Sequence, residues 1–383
     1  MSVTHPAGFV ATGVAAGLKS SGEADVAVIV NTGPSSVAAA VWTSNRCKAN
    51  PVLWSERVLS DHRARVVVVN SGGANCYTGS AGFQLTHATA ELAAHEAGCS
   101  AFDVVVCSTG LIGVLNDRDR LLGGVTSALD KAHADGGLEA AEAIRTTDTV
   151  AKTAVVTGAG WSVGGIAKGA GMLAPGLATM LVFLTTDADV DAETADRALR
   201  AATRVSFDRV DSDGCMSTND AVVLMASGAS GAVPSDVEFA TALTRLCHDL
   251  AQQLLRDAEG SEHDIAITVR GAACDDDALE VGRAVARSNL FKCAVFGRDP
   301  NWGRVLAAIG TTRAAFDPAD LDVALNGTWV CRGSGLGESR ELVDLSSREV
   351  TVEIDLKSGD CEATIWTNDL TLAYVHENSA YAT

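Results

Sequence analysis

Short apolar runs rich in branched residues recur along this chain and alternate with alanine- and leucine-rich stretches. No other feature constrains the fold as strongly. Residues 27–30, 65–70, 103–107, 222–225 and 264–269 read as buried strands, because an unbroken apolar run of this length fits a strand covered on both faces. Residues 349–356 and 362–366 alternate instead and read as half-exposed strands. Helices intervene. Residues 84–97 stop at Gly98, and glycine after a periodic run is a helix-terminating signal. Ser235 and Glu238 form a capping box. It opens a helix to residue 258, with Phe239, Leu243, Leu246, Leu250 and Leu254 on one face. Residues 192–205 and 277–287 are further helices. Strands grouped with covering helices predict an α/β, layered α+β protein. No internal repeat or linker marks a domain boundary.

The chain has 383 residues, of which 47% are apolar and 20% charged, so it can bury a sizeable core. Its formal charge is −19, from 48 acidic against 29 basic residues. That balance argues against a nucleic-acid partner, since phosphate neutralisation needs basic patches and none is visible in the sequence. No apolar run is long enough to span a membrane. The first residues, Met1-Ser2-Val3-Thr4-His5-Pro6, lack the basic and apolar regions of a secretory signal, so a cytoplasmic location is expected. The ten cysteines are scattered singly with no Cys-x-x-Cys pair, which speaks against a zinc site or a redox dithiol. Neither a metal nor a cofactor is expected.

One segment bears directly on chemistry: Lys168-Gly169-Ala170-Gly171-Met172-Leu173-Ala174-Pro175-Gly176-Leu177-Ala178-Thr179 runs straight into the strand-like residues 180–184. Thr179 is open to two readings. As a residue at a loop-to-strand junction it simply has good β propensity. As a nucleophile it needs a base. A break between Ala178 and Thr179 would supply one, because the new α-amine has a reference pKa of about 8. Pro175-Gly176 permits a tight turn there, and Ala178 adds no bulk beside the scissile carbonyl. A second glycine turn, Ser108-Thr109-Gly110-Leu111-Ile112-Gly113, follows strand 103–107; it is either an ordinary turn or a set of donors for an oxyanion. A third is Asn70-Ser71-Gly72-Gly73-Ala74-Asn75. Gly158-Ala159-Gly160 and Lys168-Gly169-Ala170-Gly171 fit no nucleotide-binding pattern. Asp211-Ser212-Asp213-Gly214 lacks the remaining ligands of a calcium loop. Asp299-Pro300-Asn301-Trp302-Gly303-Arg304 reads either as a structural turn or as a pocket lining. The polar terminus Glu377-Asn378-Ser379-Ala380-Tyr381-Ala382-Thr383 is expected to fray.

Taken in order, these segments resemble one family nearly end to end: the ornithine acetyltransferases, or glutamate N-acetyltransferases, of arginine biosynthesis. The resemblance is carried by the Asn70–Asn75 and Ser108–Gly113 turns, Thr146-Thr147-Asp148, Ala167-Lys168-Gly169-Ala170-Gly171-Met172 and Ala178-Thr179-Met180-Leu181. Ser217-Thr218-Asn219-Asp220, Asp257-Ala258-Glu259-Gly260, Asp299–Arg304 and Glu377-Asn378-Ser379-Ala380-Tyr381 complete it.

The resemblance implies an N-terminal-nucleophile enzyme with an αββα sandwich like that of the DmpA-type aminopeptidases. It implies self-cleavage between Ala178 and Thr179 into an α chain, 1–178, and a β chain, 179–383, that remain one intertwined unit. Two α and two β chains would assemble. The implied reaction moves an acetyl group from N2-acetylornithine to glutamate through an acetyl-threonine intermediate, and some members also accept acetyl-CoA. Carried over by position, Thr179 is the nucleophile, and Thr109 and Gly110 stabilise the oxyanion. Thr146, Lys168, Glu259, Asn378 and the terminal Thr383 contact substrate, with Thr147 an alternative to Thr146. An amidase or aminopeptidase of the same fold, with water as acceptor, is a second reading. A non-catalytic amino-acid-binding protein is a third.

Overall fold

The computed structural model describes residues 2–174 and 180–380. Two sheets pack face to face, and helices cover the outer face of each. The first sheet runs in the order Phe9–Val14, Val26–Asn31, Val66–Asn70, Val104–Ser108. Its last two strands are parallel, with Asn70 beside Ser108. The second runs Val37–Trp42, Ala221–Ala226, Leu181–Thr186, Ser162–Lys168, Lys152–Thr157.

Strand alternation sorts the layers. Val67, Val69, Val105 and Cys107 turn inward and meet Ala38, Ile166, Phe183 and Val223 of the second sheet. Val66, Val68, Val104 and Val106 turn outward and pack on Trp54, Leu85 and Val125, which sit on helices Asn50–Val58, Gly79–Ala97 and Arg118–Lys131. Val182, Leu184, Val222 and Leu224 face Leu199, Leu243, Leu246 and Leu250 on helices Ala192–Arg204 and Asp236–Arg256. The result is a helix–sheet–sheet–helix sandwich, the layered α/β arrangement that the strand and helix patterns predict and the αββα form that the family resemblance implies. A further six-stranded sheet, which includes Asp264–Ala272, Glu349–Asp355 and Cys361–Asn368, builds its own core with helices Asp275–Ala286, Asn289–Phe296 and Trp302–Ile309.

The second sheet draws strands from both sides of the Ala178–Thr179 bond. Lys168 at the end of one strand is registered on Leu181 at the start of the next, and Leu181 on Ala221. Its strand Ser162–Lys168 carries no apolar run because two glycines interrupt it. Those glycines are demanded by packing: a Cβ on Gly164 would lie 2.2 Å from Ser2 O, and one on Gly165 would lie 2.9 Å from both Leu184 and Leu250.

Two expectations are settled locally. Trp302 opens a helix against the core of the six-stranded sheet, and Arg304 donates to Leu290 O; Asp299–Arg304 is a structural turn. The polar C-terminus does not fray through Ala380. Residues Leu372–Ala380 form a helix, started by Thr371, whose hydroxyl donates to Gly260 O at 2.6 Å and accepts Tyr374 N–H at 2.9 Å. Among the described residues no helix is long and apolar enough to cross a membrane.

Candidate active site

A cavity of about 240 Å3 opens where the carboxyl ends of Val66–Asn70, Val104–Ser108 and Ser162–Lys168 converge. Thr109, Gly110, Thr146, Thr147, Lys168, Glu259 and Asn378 all line it. Residues far apart in sequence therefore meet in one place. Thr179, Ala178 and Thr383 lie outside the described residues.

The turns form the first wall. Asn70 holds its own loop by donating Nδ2–H to Gly73 O at 3.1 Å, and its Oδ1 accepts the Ser108 hydroxyl at 2.5 Å. Asn219 bridges this wall to the second sheet, donating from Nδ2 to Ala74 O and to Ser108 O, each at 2.7 Å. The Thr109 N–H is consumed by Asn70 O at 2.9 Å. Its hydroxyl is thus the group that can face a ligand. Gly110 has φ +121°, and a Cβ there would stand 3.0 Å from Gly73 N. Only glycine lets the two turns approach this closely.

Lys168 is the floor. It is 1% exposed. Its ammonium donates to Thr146 Oγ1 at 2.7 Å and to Thr109 Oγ1 at 3.3 Å. Burial pulls its pKa below the ordinary lysine value; Asp148, Asp220 and Glu259 oppose that fall, and Lys152 adds to it. The hydroxyls of Thr109 and Thr146 are therefore oriented by a single cation.

Behind the floor lies a buried carboxylate. Asp148 accepts Gly169 N–H at 2.6 Å, Thr146 N–H at 3.1 Å and the Lys152 ammonium at 2.6 Å. Burial acts to raise its pKa, but Lys168, Lys152 and the Gly169 N–H outweigh it and hold the carboxyl at about 2. Lys152, fully buried, reaches on to Asp257 at 2.5 Å.

The far wall is Glu259. Its N–H is fixed by Ala170 O at 2.9 Å, and its carboxylate accepts Asn378 Nδ2–H at 2.9 Å from the C-terminal helix. A carboxylate and a buried ammonium thus face one small cavity, an arrangement suited to a zwitterionic amino acid.

Sequence reasoning assigned no role to Ser217, Thr218, Asn219 or Asp220, yet the first three line the cavity. Asp220 is buried; its Oδ1 accepts Met180 N–H at 3.1 Å, while Oδ2 has no hydrogen bond among the described residues. Burial drives this carboxyl well above the usual range, against the Met180 N–H and Lys168. The signal for the group was a polar quartet set directly before an apolar strand. Asp213, read as part of an incomplete calcium loop, accepts Met172 N–H at 2.6 Å and Cys215 N–H at 3.2 Å, and so shapes the loop beside the cavity. Among the described residues no acidic, histidine or cysteine cluster fits a metal ion.

Comparison with known proteins agrees over the whole length. The model of the ArgJ family matches residues 10–383. The "Arginine biosynthesis bifunctional protein ArgJ" of Streptomyces coelicolor is 63% identical over 382 residues, covering 100% of both chains. The protein of the same name from Thermobifida fusca is 60% identical over 383 residues, again covering 100% of both. Among solved structures, the arginine biosynthesis bifunctional protein from Bacillus halodurans is 36% identical with a TM-score of 0.50, over 52% of this chain and 98% of that chain.

Proposed function

Since this chain belongs to the ArgJ family, we propose that it is an acetyltransferase of arginine biosynthesis that carries the acetyl group of N2-acetylornithine to glutamate. The observation that supports this most is the meeting of Thr109, Gly110, Thr146, Lys168, Glu259 and Asn378 around one cavity.

The chain is made as a precursor and cleaves itself between Ala178 and Thr179. The α-amine freed on Thr179 is its general base. Lys168 holds the substrate carboxylate and Glu259 holds an ammonium group. The Thr179 amine takes the hydroxyl proton, and the oxygen attacks the acetyl carbonyl of N2-acetylornithine. The Thr109 hydroxyl and the Gly110 N–H stabilise the oxyanion. The C–N bond breaks, the leaving amine takes the proton, and ornithine departs. Glutamate then enters; its amine attacks the acetyl-threonine ester and leaves as N-acetylglutamate, returning the proton to the threonine oxygen. One site serves donor and acceptor in turn, and the covalent intermediate makes the sequence ping-pong, with ornithine leaving before glutamate reacts. Acetyl-CoA can load the same threonine in place of acetylornithine.

The shared second sheet supports a cut that leaves the halves together, because strands before and after residue 178 are hydrogen-bonded neighbours. The Bacillus chain supports it too, since nearly all of that chain matches only half of this one. Residues 1–178 and 179–383 then form the α and β chains, two of each in the assembly, in the cytoplasm.

Intact-mass analysis and N-terminal sequencing test this reading. The expected result is two chains, one beginning Thr179-Met180-Leu181, and formation of N-acetylglutamate from acetylornithine and glutamate faster than release of acetate. Thr179→Ala should give one whole, inactive chain; an active Thr179→Ala protein would overturn the reading.

A further inference from the structure

Among the described residues Lys168 donates to two hydroxyls, yet a second buried cation lies one strand away. Lys152 and Lys168 sit on neighbouring strands, with Lys152 registered on Ala167. Both are almost completely buried, at 0% and 1% exposure. Two ammonium groups this close and this dry cannot persist without a carboxylate between them. Asp148 supplies the negative charge: it accepts the Lys152 ammonium at 2.6 Å and attracts Lys168 through space. It does not bond Lys168. It bonds two backbone amides that bear on Lys168: Gly169 N–H, next to Lys168 in the chain, and the N–H of Thr146, whose hydroxyl accepts a hydrogen bond from the Lys168 ammonium. The loop carrying Asp148 is itself clamped. Arg145 donates to Asp148 O at 2.8 Å and to Thr149 O at 3.0 Å, and Asp257 receives both Lys152 and Thr149 N–H.

We propose that the buried Asp148–Lys152 pair is the positioning element that fixes Lys168 and Thr146 against the substrate carboxylate. This rests on the reading of Lys168 as the carboxylate contact. Asp148 is a positioning residue, acting through Lys168 and Thr146 and not on the reacting atoms.

The pair acts on Lys168 with two opposed charges. The titratable groups that act on Lys168 are Asp148, Lys152, Asp220 and Glu259, and Lys19 also interacts with it. Asp148 favours its protonated form and Lys152 opposes it. Removing the two members must therefore move Lys168 in opposite directions. A pair that served only to hold the backbone would move it one way or not at all.

The experiment titrates Lys168 directly in the full-length protein, by NMR of lysine labelled at Cε, with Lys168→Met used for assignment. In Asp148→Asn the Lys168 midpoint falls, by about one pH unit or more, and in Lys152→Met it rises by a similar amount. The double variant Asp148→Asn/Lys152→Met replaces the ion pair with neutral groups and returns the midpoint toward wild type; it also serves if Lys152→Met alone does not fold. In parallel, the alkaline limb of kcat/KM for glutamate is followed. It shifts down in Asp148→Asn, with a rise in KM larger than the fall in kcat. Midpoints that move the same way in both single variants, or not at all, overturn the proposal. A wild-type protein that transfers no acetyl group overturns the carboxylate reading, while the Lys168 titration still decides whether the pair sets its charge.

Discussion

Gly171 lies so close to Glu259 that a Cβ on the glycine would stand 2.5 Å from a carboxylate oxygen. The clash is with the end of a flexible side chain and not with backbone. Gly171→Ala should therefore fold, because Glu259 can swing aside. The swing removes the carboxylate from the cavity and breaks its bond to Asn378. We expect a thermal midpoint near that of wild type and a KM for acetylornithine raised roughly tenfold, the scale of one lost charge-assisted hydrogen bond. Steady-state kinetics beside a thermal melt separates the two effects; an unchanged KM would refute the role of Glu259.

Gly110 behaves differently. Its φ of +121° is a conformation that side chains rarely adopt, and the atoms a Cβ would meet are the backbone of Gly72 and Gly73. Gly110→Ala should cost about 1–3 kcal/mol of stability from strain alone. It should also displace the amide proposed to hold the oxyanion. Urea unfolding and kcat should both fall, in contrast to Gly171→Ala.

Asn219 is 5% exposed and satisfies two carbonyls, Ala74 O and Ser108 O, with one amide group. Asn219→Ala leaves both buried carbonyls without that donor. The expected loss is on the order of 2–6 kcal/mol, from about 1–3 kcal/mol for each of the two unsatisfied groups. Equilibrium unfolding measures it. Asn219→Asp keeps the shape but supplies no donor, and should be at least as damaging.

Asp220 and Asp148 give opposite pH signatures. Asp220 is raised by burial, so the folded chain keeps a proton that the unfolded chain releases above about pH 4. Its contribution to stability is present at low pH and declines as pH rises from that value through its folded pKa. Asp220→Asn removes this decline, so its thermal midpoint should gain on wild type as pH rises from 4 to neutrality. Asp148 is held at about 2. Its contribution is present above the ordinary carboxylate value and is lost as pH falls through about 2. Asp148→Asn should therefore lose most, relative to wild type, at neutral pH and least near pH 2. Melts across that range check both signs.

Much of the sandwich was legible because its strands are buried on both faces and so read as apolar runs; Val66–Asn70 and Ala221–Ala226 are examples, each one or two residues from its expected bounds. The strand Ser162–Lys168 was not, because Gly164 and Gly165 are there for close approach, and close approach leaves no local pattern. Lys152–Thr157 and Val37–Trp42 were missed for another reason: neither holds a glycine, but two valines among six residues make only a weak apolar run. Within the site, the glycine turns stood out by composition and Lys168 through the family resemblance, whereas Asp148 belonged to a segment that carries the resemblance but was given no role. Its importance comes from a lysine four residues away and an amide twenty-one residues away, which only folding brings together.

The sequence by itself determined the periodicities, the helix caps and the glycine turns, because these follow from neighbouring residues through steric and hydrogen-bonding rules of a few positions' range. Its ordered motifs also fixed the family. Tertiary structure decided what those pieces mean together. It set Lys168 beneath two threonines from separate loops, placed Glu259 across from it, and ran the C-terminal helix back to meet that carboxylate. Charges interact through space and through the dryness around them, and neither distance nor burial is written in the order of residues along a chain.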